Sequence, residues 1–293
     1  EIAGDKDVAD AVAELWAYRP AEQHYRLSVD DAQRILNGLL ELRKLNGRGD
    51  IDEMLSVFAK WYPLEVLDFV LERARRETQG SGGDEPVARY EAVPYHGFHG
   101  VWSALQAAAE YPQIVRRMLQ ALADENRTAP VPWRRTTMDV VQRIMTWDQE
   151  MERALREWMQ DDRCSEMVLV ESLFSEMPSA FVIQHRNFVI DLLGWAARCG
   201  EDARQKLERA LHQSTHRTIR ERSVGQPNAM DVFLRDEGRA IAEELRQRGV
   251  NFDGVAAFYE EVVLNAERSL AGEKHRDEHE RDLRGQLGWD DDD

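Results

Sequence analysis

Three pairs of histidines and one run of arginines are the places in this chain where residue type and spacing suit chemistry. His96 and His99, in "YHGFHG", stand three apart between glycines. Two imidazoles at that spacing can share a divalent metal when a carboxylate completes the set, and glycine lets a backbone come close to a ligand. A turn that opens the following "VWSALQAAAE" helix accounts for the same residues with no ligand at all. His212 and His216 are four apart at the end of "ARQKLERALHQSTH", where a helix C-terminus favours cations. His275 and His279 are four apart in "EKHRDEHERD", beside Asp277, Glu278 and Glu280, and no apolar residues surround them to build an outer shell. His96 and His99 are therefore the candidate metal ligands; the other two pairs read as a helix end and a solvated tail.

The segment "HRTIRERSVGQPN" carries His216, Arg217, Arg220 and Arg222 against a single acid, Glu221. Guanidinium forks suit phosphates and carboxylates, and a loop leading through Gly225 and Pro227 into a helix offers backbone N–H groups to an anion. These four residues are the candidate site for a small anion, a nucleotide or an acidic partner; the plainer reading has them neutralise carboxylates on neighbouring helices. No "GxxxxGK", "GxGxxG", "GxSxG" or "HExxH" occurs. The "GSGG" at 80–83 lacks the lysine a phosphate loop needs. No catalytic residue and no cofactor is expected.

The elements that must hold these residues are helices. Ile51, Met54, Leu55, Phe58 and Trp61 fall on one stripe, and so do Met167, Val170, Phe174 and Met177. Three times a helical stretch runs into a proline and a second helical stretch: at Pro63, Pro112 and Pro178. Proline lacks the N–H that an interior helical position needs but suits the first turn, and it pushes the preceding residue out of helical geometry. Each proline is thus expected to begin a second helix after a sharp corner at Tyr62, Tyr111 or Met177, and so to make a hairpin. Ser28 with Asp31 and Thr136 with Asp139 read as capping boxes, the second opening a long helix through Ile144, Trp147, Met151, Leu155 and Trp158.

Across 293 residues the chain carries 55 acidic and 38 basic side chains, a net charge of −17, which repels phosphate backbones and anionic lipid. General nucleic-acid and membrane binding are excluded on that ground, and no apolar run is long enough to span a bilayer. Cys164 and Cys199 carry no disulfide pattern and read as small apolar residues of a reducing compartment, so a cytoplasmic location is expected. The chain begins at Glu1 inside a helical pattern, as a segment of a longer protein would.

The stretches "EMPSAFVIQHRNFVIDLLGWAARCG", "SVGQPNAMDVFLRDEGRAIAEEL" and "VAAFYEEVVLNAERSLAG", about the last third of the chain, resemble the HEAT-like helical tails of large multidomain bacterial proteins whose other end carries an NTPase or effector domain. The resemblance implies a scaffold or sensor segment, in some such proteins serving phage defence, and assigns no residue a role. The expected architecture is all-α: an irregular α-solenoid of stacked helical hairpins, with a compact helical bundle as the alternative. Hairpins are expected over 1–80, a helical-repeat body over 86–272 and a charged, partly disordered tail over 273–293. The expected function is a non-enzymatic scaffold or sensor that binds a protein partner or another domain of the same longer chain. Anion or nucleotide sensing through 216–222 and metal-dependent catalysis through His96 and His99 are the alternatives.

Overall fold

In the computed structural model residues 27–45, 50–80, 90–93, 98–128, 147–161, 163–175, 177–216 and 226–287 are described. They hold α-helices and short 3-10 turns, and no strand. The chain divides into two compact units, Glu1–Gln160 and Asp161–Asp293. No helix among the described residues is long and apolar enough to cross a membrane.

In the first unit α1 (Val29–Leu40) begins at Ser28, whose Oγ accepts from Asp31 N at 3.2 Å and donates to Asp31 Oδ2 at 2.7 Å, an N-cap at the expected residues. Helix α2 (Asp50–Trp61) buries Ile51, Met54, Leu55 and Phe58. Tyr62 alone separates it from α3 (Pro63–Gly80). Tyr62 N donates to Phe58 O while Tyr62 O accepts from Val66 N, so one residue ends one helix and starts the next. This is the proline corner the sequence predicts, and the two helices pack together. Helices α4 (His99–Gln106), α5 (Tyr111–Thr128) and α6 (Gln149–Gln160) follow among the described residues, with α4 against α2, and α5 against α3 and α6.

The other two prolines sit differently. Helix α5 starts at Tyr111, one residue before Pro112, and the corner lies earlier, over 107–110. Pro112 is tolerated there because the first four N–H groups of a helix have no internal partner, so a ring at the second position costs no bond. Pro178 lies three residues ahead of α8 (Phe181–Gln184), and its carbonyl accepts from Phe181 N in the turn between. The upstream α7 (Met167–Phe174) packs mainly against α10 (Glu201–Thr215) and meets the α9 (Arg186–Cys199) that follows through Phe174 and Phe188, whose ring centres lie 5.9 Å apart, so this proline does not make a simple hairpin.

The long helix expected from Thr136 does not run through Trp147 and Asp148. Trp147 and Asp148 are not helical, and Asp148 Oδ1 caps α6 by accepting from Glu150 N at 3.0 Å and Met151 N at 3.1 Å. Thr136, Asp139 and Ile144 lie outside the described residues. The stripe of Met151, Leu155 and Trp158 is buried as expected.

The second unit has its most extensive pairing between α11 (Ala229–Arg248) and α12 (Asp253–Leu287). Their corner is built on Gly249 at φ 107° and a 3-10 turn, Val250–Phe252, with no proline. The antiparallel register places Arg246 opposite Glu260 (Nη2 to Oε1, 3.0 Å) and Arg239 opposite Glu267 (2.6 Å). At the other end Glu273 Oε2 accepts from Asn228 N at 3.0 Å, and Asp231 accepts from Ser269 Oγ at 2.8 Å. Glu273 and Asp277 are only 2% and 5% exposed, so the charged tail expected from 273 is, as far as Leu287, the end of a helix whose acids are partly buried. Residues 288–293 lie outside the described residues.

Cys164 and Cys199 are joined by a disulfide, with their Cα atoms 5.4 Å apart. The reading of two free thiols is corrected: folding brings residues 35 apart in sequence within bonding reach.

Gly238 sits where α11 meets α12: a Cβ there would lie 3.1 Å from Val263 Cγ2. Gly238→Leu should overpack this seam and lower the stability of the second unit by about 1–3 kcal/mol, measured by urea denaturation.

Candidate functional site

The candidate metal pair rests on glycines that approach something, and the structure identifies what Gly100 approaches. Asp52, on the first turn of α2, reaches the start of α4: its Oδ2 accepts from Gly100 N at 2.9 Å and its Oδ1 from Val101 N at 3.0 Å. The first turn of a helix has no internal acceptors for these N–H groups and carries partial positive charge, which a carboxylate offsets. Phe98, at the N-cap position, supplies no side-chain acceptor, so the neighbouring helix does. A Cβ on Gly100 would stand 2.9 Å from Asp52 Oδ2. The glycine is thus needed for a carboxylate of the same chain. His99 is the first residue of α4, and its side chain is exposed; His96 lies outside the described residues. Among the described residues no group of three or more His, Cys, Asp or Glu side chains is arranged to hold a metal.

His216 is the exposed C-cap of α10. Arg217, Arg220 and Arg222 lie outside the described residues. His212, one turn earlier, is a packing residue: its ring lies 4.6 Å from that of Phe258 on α12. Nε2 stands 3.2 Å from Glu261 Oε2, close enough for attraction yet off the line a hydrogen bond needs. Burial pushes the imidazole below its usual range, as does the neighbouring His216, while Glu261 pulls it up. With both ring nitrogens buried and the ring packed on Phe258, His212 is poorly placed to share a ligand with His216. His275 and His279 are exposed on α12.

Sequence reasoning missed a fully buried charge. Arg73 on α3 is 1% exposed and donates Nε to Ala92 O at 2.7 Å, Nη1 to Leu39 O and Leu42 O at 2.8 and 2.9 Å, and Nη2 to Glu91 O. Its guanidinium carbon lies 4.6 Å from the centre of the Tyr90 ring. Burial lowers its pKa to about 10, which leaves it charged at neutral pH. One signal was available: Arg73 continues the stripe of Val66, Phe69 and Val70 and so falls on the buried face of α3.

A second cluster closes around Asp148. Its Oδ2 accepts from Gln106 Nε2 at 3.0 Å and from the Tyr111 hydroxyl, while Oδ1 caps α6. Burial, with the Asp148 carboxylate beside it, pushes the Tyr111 phenol up, so the group stays a hydrogen-bond donor across the accessible pH range. Gln106 ends α4 and Tyr111 begins α5, so one carboxylate ties three helix termini together.

An open groove of about 550 Å³ on α11 and α12 is lined by Arg239, Ala242, Glu243, Arg246, Glu260 and Val263. Its arginines already pair with Glu267, Glu260 and Asp253. Comparison of the chain with protein-family models, characterised proteins and solved structures found no match.

Asp52→Ala and Gly100→Ala should each lower the stability of the first unit, by about 1–2 kcal/mol. Because both remove the same contact, the double variant should cost little more than the worse single one in denaturant titrations.

Proposed function

We propose that this chain is a non-enzymatic helical-repeat module, an α-solenoid of stacked helix pairs that binds a protein partner or another domain of a longer chain. The observation that carries the reading is how the buried polar groups are used. Arg73, Asp52 and Glu273 make hydrogen bonds with backbone groups of other segments, most of them at helix ends, and Asp148 caps its own helix while holding Gln106 and Tyr111. A catalytic centre instead leaves polar groups converging on space where a substrate sits. Among the described residues these groups are occupied, and helix faces turned outward carry charge pairs such as Arg116 with Glu157 and Arg117 with Asp68. Surfaces of that kind suit reversible recognition of another polypeptide, where exposed charges set orientation and rate.

The purified chain, mixed with the remaining segments of its parent protein and analysed by size-exclusion chromatography with light scattering, should elute as a stoichiometric complex. The complex should weaken about tenfold or more when salt is raised from low to physiological strength, as charge-guided binding does. Failure to associate with or without nucleotide, or turnover by the isolated chain in a broad hydrolase screen, would contradict the proposal.

A further inference from the structure

The groove on α11 and α12 pairs an apolar floor with an unspent charge. Arg239 and Arg246 stand seven apart on α11, two turns or about 10 Å along the helix, with Ala242 between them. Ala242 is 5% exposed, and Val263 of α12, which lines the same groove, is half-buried, so small aliphatic groups form the floor. The groove is open to solvent, unlike the enclosed cavities that surround most small ligands. At the corner that ends α11, Val250 is 82% exposed.

The two arginines do not call for an anion. Arg246 donates Nε and Nη2 to Glu260 Oε1 at 3.0 Å and Nη1 to Asp253 Oδ1 at 3.1 Å, and Arg239 Nη2 donates to Glu267 Oε1 at 2.6 Å. Two guanidiniums thus meet three carboxylates. Glu243, on the same face of α11 and within about a turn of each arginine, adds a further carboxylate that is exposed and has no partner among the described residues. The surplus is negative: it repels phosphates and carboxylates and attracts ammonium or guanidinium groups. A lysine or arginine side chain carries such a cation on an aliphatic stem, so one residue can satisfy the free acid and cover the floor together.

We propose that this groove docks a basic peptide segment of the partner: a lysine or arginine whose head pairs with Glu243 and whose stem lies over Ala242 and Val263, flanked by an apolar residue that covers Val250. The inference rests on the partner-binding reading and deepens it by giving the site and the chemistry of its occupant. A polypeptide suits the arrangement better than a free cation because the apolar contact at Val250 lies outside the groove, on the corner turn. The exposed charges guide the approach and the aliphatic surface holds the docked segment, so affinity falls with added salt without vanishing.

A phage library of random short peptides is selected on the immobilised full chain, and the most enriched peptide is synthesised with a fluorescein label and titrated by fluorescence anisotropy. Enriched peptides should carry lysine or arginine beside an apolar residue. Affinity should fall about tenfold or more with Glu243→Lys, and by a similar factor when the peptide's cation is replaced by glutamine. Glu237→Lys makes the same charge change at an exposed residue of α11 outside the groove and should alter affinity by no more than about twofold. Both residues are exposed, and circular dichroism of the variants should match the parent chain. No enrichment, an acidic consensus, equal losses in the two lysine variants, or spermidine bound as tightly as the peptide would each overturn the proposal. So would a Glu243-dependent dimer in sedimentation, which would make a second copy the occupant. The complex with the parent-protein segments separates the two readings: formed equally by the parent chain and Glu243→Lys, it keeps partner binding and discards this groove, whereas loss of both complex and peptide binding discards both.

Discussion

A buried guanidinium without a carboxylate partner sets the terms for the first unit. Arg73 is nearly inaccessible to water and gives its N–H groups to four main-chain carbonyls: Leu39 and Leu42 at the end of α1, and Glu91 and Ala92 in a separate segment. Carbonyls at a helix C-terminus lack internal donors and carry partial negative charge. A cation placed among them answers both deficits, and Tyr90 covers its face. The same region is fastened twice more through Leu40 O, by Arg76 Nη1 at 2.9 Å and by the Tyr90 hydroxyl at 3.0 Å. The end of α1 is thus fixed by side chains from elsewhere.

The principle recurs with the sign reversed. Where N–H groups stand unpaired, carboxylates arrive: Asp52 at the start of α4 and Glu273 at Asn228, ahead of α11. Neutral donors do similar work in the second unit, where Tyr259 OH donates to Val182 O at 2.8 Å and Ser179 Oγ to Ser214 O at 3.3 Å. Many of these helices are short, and a short helix has a high proportion of unpaired ends and little stability of its own. Tying each end to a neighbour converts that weakness into tertiary specificity. It also places Arg73, Asp52 and Glu273, residues of types common in catalytic sites, at helix ends.

The all-helical class was legible because its signal is periodic. The stripe of Met54, Leu55 and Phe58, the stripe of Met167, Val170 and Phe174, the Ser28 cap and the Tyr62–Pro63 corner all follow from local spacing and proline chemistry. What was not legible depends on contacts far apart in sequence. Asp52 and Gly100 meet across 48 residues, and Arg73 reaches carbonyls that have no side-chain signature. The disulfide is the sharpest case: two cysteines with no pattern around them are paired only because α9 ends beside the turn that leads into α7. Asp148 was within reach, an N-cap aspartate three residues before Met151, but the apolar spacing of Trp147 drew the helix through it.

The account stands on the claim that helix ends satisfied from neighbouring elements hold this chain together, with Arg73 as its strongest instance. Hydrogen-exchange mass spectrometry of Arg73→Met in the full chain tests it directly, because methionine matches the stem and removes every donor. The α1 and α3 peptides should lose about 3 kcal/mol or more of protection, the cost of several buried carbonyls left without donors. Protection within about 0.5 kcal/mol of the parent chain, the range of an ordinary surface substitution, would contradict it.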